Sequence, residues 1–241
     1  MRLRPDGLIC VIKMTKNAKI ALLVVAAVLI IDQVFKIWVK THFALGDEVN
    51  VLGEWFRLHF VENNGMAFGM QLSGDSWGKL VLSLFRIVAI GFIGVGLVKL
   101  CRAEGKLGLV VCIALVLAGA VGNIIDSVFY GVIFNSSWGQ IATLFPAEGG
   151  YGSFLHGRVV DMLYFPLIEG VWPEWVPFWG GQSFLFFRPV FNIADSAICV
   201  GMFVLILFFH KDLGDFLAQV MPQKKGNDAN EASADKETTK E

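Results

Sequence analysis

The stretch Val190–His210, VFNIADSAICVGMFVLILFFH, is an apolar run long enough to cross a bilayer. Its first turns nevertheless carry Asn192 and Asp195. An ionised carboxylate in a spanning helix costs about 2.5–3.5 kcal/mol even on a lenient insertion scale, so such a residue is a site candidate by default. Read as helical from Val190 onward, Asn192 and Asp195 lie three positions apart and share one face. The rest of the chain is read for partners to that face.

Composition agrees with a membrane protein: of 241 residues, 55% are hydrophobic and only 17% charged. A net charge of −1 gives no electrostatic case for nucleic acid. The cysteines, Cys10, Cys101, Cys112 and Cys199, lack metal-ligand spacing, so neither a disulfide framework nor a zinc site is expected. Leu8-Ile9-Cys10 makes a poor lipid-attachment site, because no apolar run precedes it and Ile9 is not small.

Apolar runs over about 20–40, 77–100 and 107–130 join 190–210 to make four spans in a membrane domain covering 20–210. The first run is too long for a signal-peptide core and lacks a small-residue cleavage site, so it is expected to be retained. Residues 1–19 are basic, and Met14 opens an alternative start that would leave residues 1–13 dispensable. Residues 211–241 read as a polar tail ending in a disordered stretch. Basic residues concentrate in the N-terminal segment, in the loop with Lys99, Arg102 and Lys106, and after His210. The positive-inside rule then puts both termini in the cytoplasm and residues 41–76 and 131–189 outside.

Outside, Glu54–Val61 alternates bulky apolar with polar residues, the period of a half-exposed strand, and Asn63-Asn64-Gly65 supplies a turn. The interval 131–189 is too broken to span and too rich in Trp and Phe for a free linker, which suits a segment at the interface. The expected fold is an all-α polytopic membrane protein. It has four transmembrane helices, a small extracytoplasmic β-sheet acting as a cradle, and an interfacial segment between the third and fourth helices.

Asp32 and Lys36 fall in the outer half of the first span, Asn123 and Asp126 in the last turns of the third, and Asn192 and Asp195 in the first turns of the fourth. At about 1.5 Å rise per residue, all three carboxylates come to one leaflet. Asp32 and Lys36, four apart, can pair along their own helix. Gly119, Gly122 and Asn123 suit close helix packing with an interhelical hydrogen bond. Asp126 has no cation nearby in its own helix, and its neighbour is Ser127. A fourth acid, Asp161, sits in the apolar segment Val159–Leu163, read as a dip toward the membrane. Two carboxylates close together in low dielectric share a proton, and such a pair can activate water and protonate a leaving amide. An acid pair can equally carry protons or cations. The constellation alone therefore leaves a peptidase, an ion- or proton-coupled carrier and an assembly subunit open. A carrier would favour inverted repeats and midplane sites, and no repeat is visible here.

The ordered set Asp32-Gln33-x-x-Lys36, Asn63-Asn64-Gly65-Met66-Ala67-Phe68-Gly69, Gly122-Asn123-Ile124-Ile125-Asp126, Val159-Val160-Asp161 and Phe191-Asn192-Ile193-Ala194-Asp195-Ser196 closely resembles the bacterial lipoprotein signal peptidase family, signal peptidase II. The match runs from about residue 20 to 210. The resemblance implies a four-helix aspartic endopeptidase of the inner membrane. Members remove the signal peptide from diacylglyceryl-modified prolipoproteins, cutting before the lipidated cysteine, with no metal or organic cofactor. It implies Asp161 and Asp195 as the catalytic pair. Asp32, Lys36, Asn63, Gly65, Ala67, Gly122, Asn123, Asp126 and Asn192 are implied to shape the site and hold the substrate. The implied partners are prolipoproteins and membrane lipids, for an enzyme acting as a monomer. Two departures stand out. Ser127 occupies a position where the family usually places Arg, so Asp126 needs another partner, for which Arg158 is the candidate. The outer interval also carries inserts before Gly157 and after Pro166.

Overall fold

The computed structural model describes residues 14–64, 76–186 and 189–220. Gly65 and Ala67, with the rest of 65–75, lie outside the described residues, as do 1–13 and 221–241. Four helices are long and apolar enough to cross a membrane: α1 (Lys16–His42), α2 (Ser76–Arg102), α3 (Leu107–Ile133) and α4 (Ile193–Val220). Thr15 caps α1, its side chain accepting from the Ala18 N–H. Within α3 the backbone loosens into a π turn over Asp126–Tyr130, and α4 does the same over Leu205–Phe209. Such turns re-aim the side chains that follow, here at the end of α3 that meets the sheet.

α3 is the hub, packing against α1, α2 and α4. Its closest approach is to α4, where a Cβ on Gly119 would lie 2.2 Å from the Ala194 carbonyl oxygen. Only a glycine permits that contact. Elsewhere the helices turn apolar side chains outward, as with Leu23, Phe92 and Phe208, where lipid rather than protein completes their packing.

The sheet is larger than the sequence led us to expect. β1 (Glu48–Leu52) and β2 (Phe56–Asn63) are joined by β3 (Val159–Tyr164) and β6 (Val190–Phe191), in the antiparallel order β1-β2-β3-β6. The segment read as dipping toward the membrane is thus an inner strand. The run Val159–Met162 is apolar apart from Asp161 and buried throughout, which hides the alternation that marks a half-exposed strand. A separate hairpin, β4 (Ile168–Val171) with β5 (Ser183–Phe186), carries Trp172 against Phe184 with ring centroids 4.7 Å apart. Its connecting turn exposes Trp175 and Phe178.

Two boundaries differ from expectation. α4 starts at Ile193 rather than Val190, because Val190 and Phe191 pair with Tyr164 and Leu163 and Asn192 becomes the helix cap. At its other end α4 runs to Val220, so the polar tail expected from Lys211 begins as an amphipathic helix with Phe216 buried.

Candidate active site

Four elements converge where β2 and β3 meet the ends of α3 and α4. β3 supplies Asp161, buried on the sheet. The β6–α4 junction supplies Asn192, whose backbone is extended and whose side chain accepts from the Asp195 N–H at 2.8 Å. Asn192 therefore lies outside the helix, against the reading that put it on one helical face with Asp195. It still reaches the same place, since an N-cap side chain folds back over the first turn. Its Nδ2 donates to Asp161 Oδ1 at 2.7 Å, so one amide touches both aspartates. Asn123 on α3 donates to Asp195 Oδ1 at 2.7 Å. Asn63, at the end of β2, donates to the other oxygen of Asp161.

The two carboxyls meet different surroundings. Asp161 is buried, Asp195 half-exposed. Burial, and then the like charge of Asp195, push the Asp161 carboxyl up to about 8, against the hydrogen bond from Asn192. Both influences favour the protonated form of Asp161.

Beneath the pair lies an ion cluster. Lys36 Nζ is 2.9 Å from Asp32 Oδ2, 2.9 Å from Asp126 Oδ2 and 3.0 Å from Asn123 Oδ1, which uses all three of its donors. Asp126 thus finds its cation on α1. Arg158, the candidate from sequence, pairs instead with Glu62 at 3.2 Å. Asp32 accepts the Ala194 N–H at 2.9 Å, fixing the start of α4, and Asp126 accepts the Val160 N–H at 3.2 Å, fixing β3. Gly122 leaves room for this: a Cβ there would stand 2.9 Å from Asp32 Oδ2. Asp32, Lys36, Gly122 and Asp126 therefore touch the aspartate pair through the backbone and through Asn123.

Several residues at the site were not assigned to it from the sequence, Gln33 among them although it stands in the first motif. Gln33 donates to Asp126 Oδ1 at 3.0 Å and accepts from the Tyr130 hydroxyl at 3.1 Å. Arg86, inside the second span, interacts electrostatically with Asp195 and Asp161. Its signal was available, since Lys79, Ser83 and Arg86 form a polar stripe at helical spacing in an otherwise apolar run. Lys79 Nζ donates to the His156 carbonyl at 2.9 Å and Ser83 is buried, so the stripe faces inward. Lys40 and Glu62, both buried, pair with each other.

Comparison with known proteins gives the family. A family model described as signal peptidase (SPase) II matches residues 24–211. The chain is 56% identical over 194 residues to a lipoprotein signal peptidase of Porphyromonas gingivalis W83, covering 80% of this chain and 84% of that one. It is 37% identical over 198 residues to a lipoprotein signal peptidase of Amoebophilus asiaticus, covering 81% and 78%. Among solved structures, a bacterial membrane enzyme determined in meso at 1.9 Å superposes with a TM-score of 0.52 at 26% identity, over 80% of this chain and 94% of that one. A second such enzyme, at 2.3 Å and 24% identity, shares the fold with a TM-score of 0.53, over 84% and 94%. With its four spanning helices, this multi-pass bacterial membrane protein belongs to the signal peptidase II family of aspartic-type peptidases.

Proposed function

We propose that the chain cleaves the signal peptide from diacylglyceryl-modified prolipoproteins, just before the lipidated cysteine, with Asp161 and Asp195 as the catalytic dyad. The observation that carries the reading is the meeting of the two aspartates, drawn from different elements, around Asn192, whose amide donates to the Asp161 carboxyl and accepts from the Asp195 backbone N–H. Asp195 takes a proton from water as it attacks the scissile carbonyl. Asp161 gives its proton to the carbonyl oxygen. Collapse of the tetrahedral species breaks the C–N bond, the nitrogen leaves protonated, and the dyad again holds one proton. Asn63, Asn123 and Asn192 hold the carboxyls in place, while Asp32, Lys36, Gly122 and Asp126 fix the elements that carry them. Both aspartates come from one chain, so the reading needs no second copy. Gly65 and Ala67 are assigned to substrate-side shaping on the family resemblance, and Arg158 shapes the site from β3 through its pairing with Glu62.

The basic loop after α2 supports an orientation with both termini in the cytoplasm and the sheet at the outer face of the inner membrane. There the acyl chains of the substrate stay in the bilayer while the scissile bond reaches the dyad. The aromatic β4–β5 hairpin suits a seat at that interface.

The test is cleavage of a diacylglyceryl-modified prolipoprotein by purified wild type, Asp161→Asn and Asp195→Asn, with folding checked by thermal unfolding. Loss of general acid–base chemistry should lower kcat by about 10²–10⁴-fold or more in either variant. If both variants still cut, the dyad assignment is wrong and Asp32 and Asp126 become the pair to test.

A further inference from the structure

One buried ionic cluster lies outside the motifs that carry the resemblance. Lys40, one turn beyond Lys36, is fully buried. Its Nζ pairs with Glu62 and donates to Ser137 Oγ at 2.8 Å, and it faces the rings of Tyr151, Phe134 and Phe60 at 5.1, 5.2 and 5.8 Å. Glu62 also accepts from Ser137 Oγ at 2.9 Å and from Arg158 at 3.2 Å. The Arg158 guanidinium rests over the Tyr151 ring, 5.3 Å from its centre. Burial alone would push the Glu62 carboxyl up, but the Lys40 charge and these hydrogen bonds hold it below its ordinary value.

The strand register gives this cluster a bearing on the dyad. Glu62 lies opposite Val160, and Asn63 opposite Val159. Side chains alternate along a strand, so Glu62 and Asn63 point to opposite faces. On one face Asn63 reaches diagonally to Asp161. On the other Glu62 reaches diagonally to Arg158. A bulge between Leu58 and Val61 interrupts the ladder just before these pairs, so the earlier part of β2 does not fix the register at Asn63. A slip of one residue would turn Asn63 away from the site altogether.

We propose that Lys40 and Glu62 are positioning residues for the aspartate dyad: their buried ion pair, completed by Arg158, clamps β2 to β3 and to α1, so that Asn63 presents its amide to Asp161. The proposal rests on the dyad reading above. Glu62 acts through Asn63 and touches no substrate.

A double-mutant cycle tests it, using the full-length enzyme in detergent and a diacylglyceryl-modified prolipoprotein. Glu62→Gln keeps the shape and should lower kcat about 10- to 100-fold, the cost of an ångström-scale misplacement, with KM changed less than about threefold. Because it acts through Asn63, Glu62→Gln combined with Asn63→Ala should be no slower than Asn63→Ala alone. Hydrogen exchange at Glu62 and Asn63 should run about tenfold faster in Glu62→Gln than in wild type. If Glu62→Gln does not fold, Lys40→Met/Glu62→Leu removes both charges at similar volume, a replacement that buried ion pairs often tolerate. It should show the same loss of kcat. Full kcat in a folded variant, or losses that multiply in the double mutant, overturns the proposal. If wild type itself fails to cut, the dyad reading fails, and the exchange rates alone decide the clamp: unchanged exchange overturns it.

Discussion

Lys36 and Lys40 sit one turn apart on α1, both fully buried, and they are held in opposite ways. Lys36 meets two carboxylates and an amide oxygen, with one ammonium serving Asp32 and Asp126 together. Lys40 meets one carboxylate, a hydroxyl and three aromatic faces, and its carboxylate partner is shared with a second cation, Arg158. The lower cluster is short of positive charge and the upper one is not. Removing the lysine therefore strands two acids below, but leaves Glu62 above with Arg158 and Ser137. Burial and charge are the same for the two lysines. Their partners differ, and the partners decide what each removal costs.

The largest expected effect follows directly. Lys36→Met should cost about 3–5 kcal/mol, the range for an orphaned buried charge, or prevent folding outright. Lys40→Met should cost about 1–3 kcal/mol, the desolvation left on a partly satisfied group. Thermal unfolding in detergent compares the two, and equal losses would break the contrast. Gly122→Ala presses on the lower cluster alone, with its new Cβ 2.9 Å from Asp32 Oδ2 and 3.0 Å from the Ala194 Cβ. It should cost about 1–3 kcal/mol by overpacking, again read from the melting temperature.

A smaller effect concerns pH. Asp161 carries a raised value of about 8, so its proton is present below that pH and lost above it. The rate should then fall as pH rises through about 8. Asp195, Lys36, Asp126 and Arg86 all act on Asp161, so the limb belongs to a coupled set. Asn63→Ala removes a hydrogen bond that favours the carboxylate, and the limb should move upward in a pH–rate profile. A downward move would mean that Asn63 supports the protonated form. The smallest effect is a control at the opposite end of the bundle. Asp212→Asn breaks the Lys106–Asp212 contact at 2.7 Å, where Lys106 is 68% exposed, and should shift stability by less than about 1 kcal/mol.

The spans were legible because each is a long apolar run, and the motif set placed the chain in its family. What escaped was set by contacts across elements. Asp126 lacks a cation in its own helix, and local reading could not see that Lys36 serves two acids on two helices. Arg158 was assigned to Asp126 for want of a nearer choice, while the fold gives it Glu62. The start of α4 was readable: an Asn with an acid in the turn that follows, here Asn192 and Asp195, is an N-terminus signature, and the apolar Val190 and Phe191 masked it. Asp161 could not be placed on a strand, since its neighbours are apolar on both faces. Lys40 and Arg86 were readable as ionisable residues within spans and were passed over.

The ionisable face of α1 also bears on how the chain enters the membrane. Asp32, Lys36 and Lys40 all lie on this first span, and Lys36 and Asp32 alone can neutralise each other within it. Lys40 waits for Glu62, and the start of α4 must arrive before Asp32 gains its backbone partner. All three lie in the C-terminal half of the span, where a charge costs less than at the helix centre and a long lysine stem can carry its ammonium toward the interface. The first helix thus enters with one ion pair of its own, Asp32 with Lys36, and Lys40 meets Glu62 on the strand that follows, before α2 is made. The polar face of α1 is therefore completed in order of synthesis: Glu62 just after the helix, then Asp126 on α3, and last the Ala194 N–H at the start of α4.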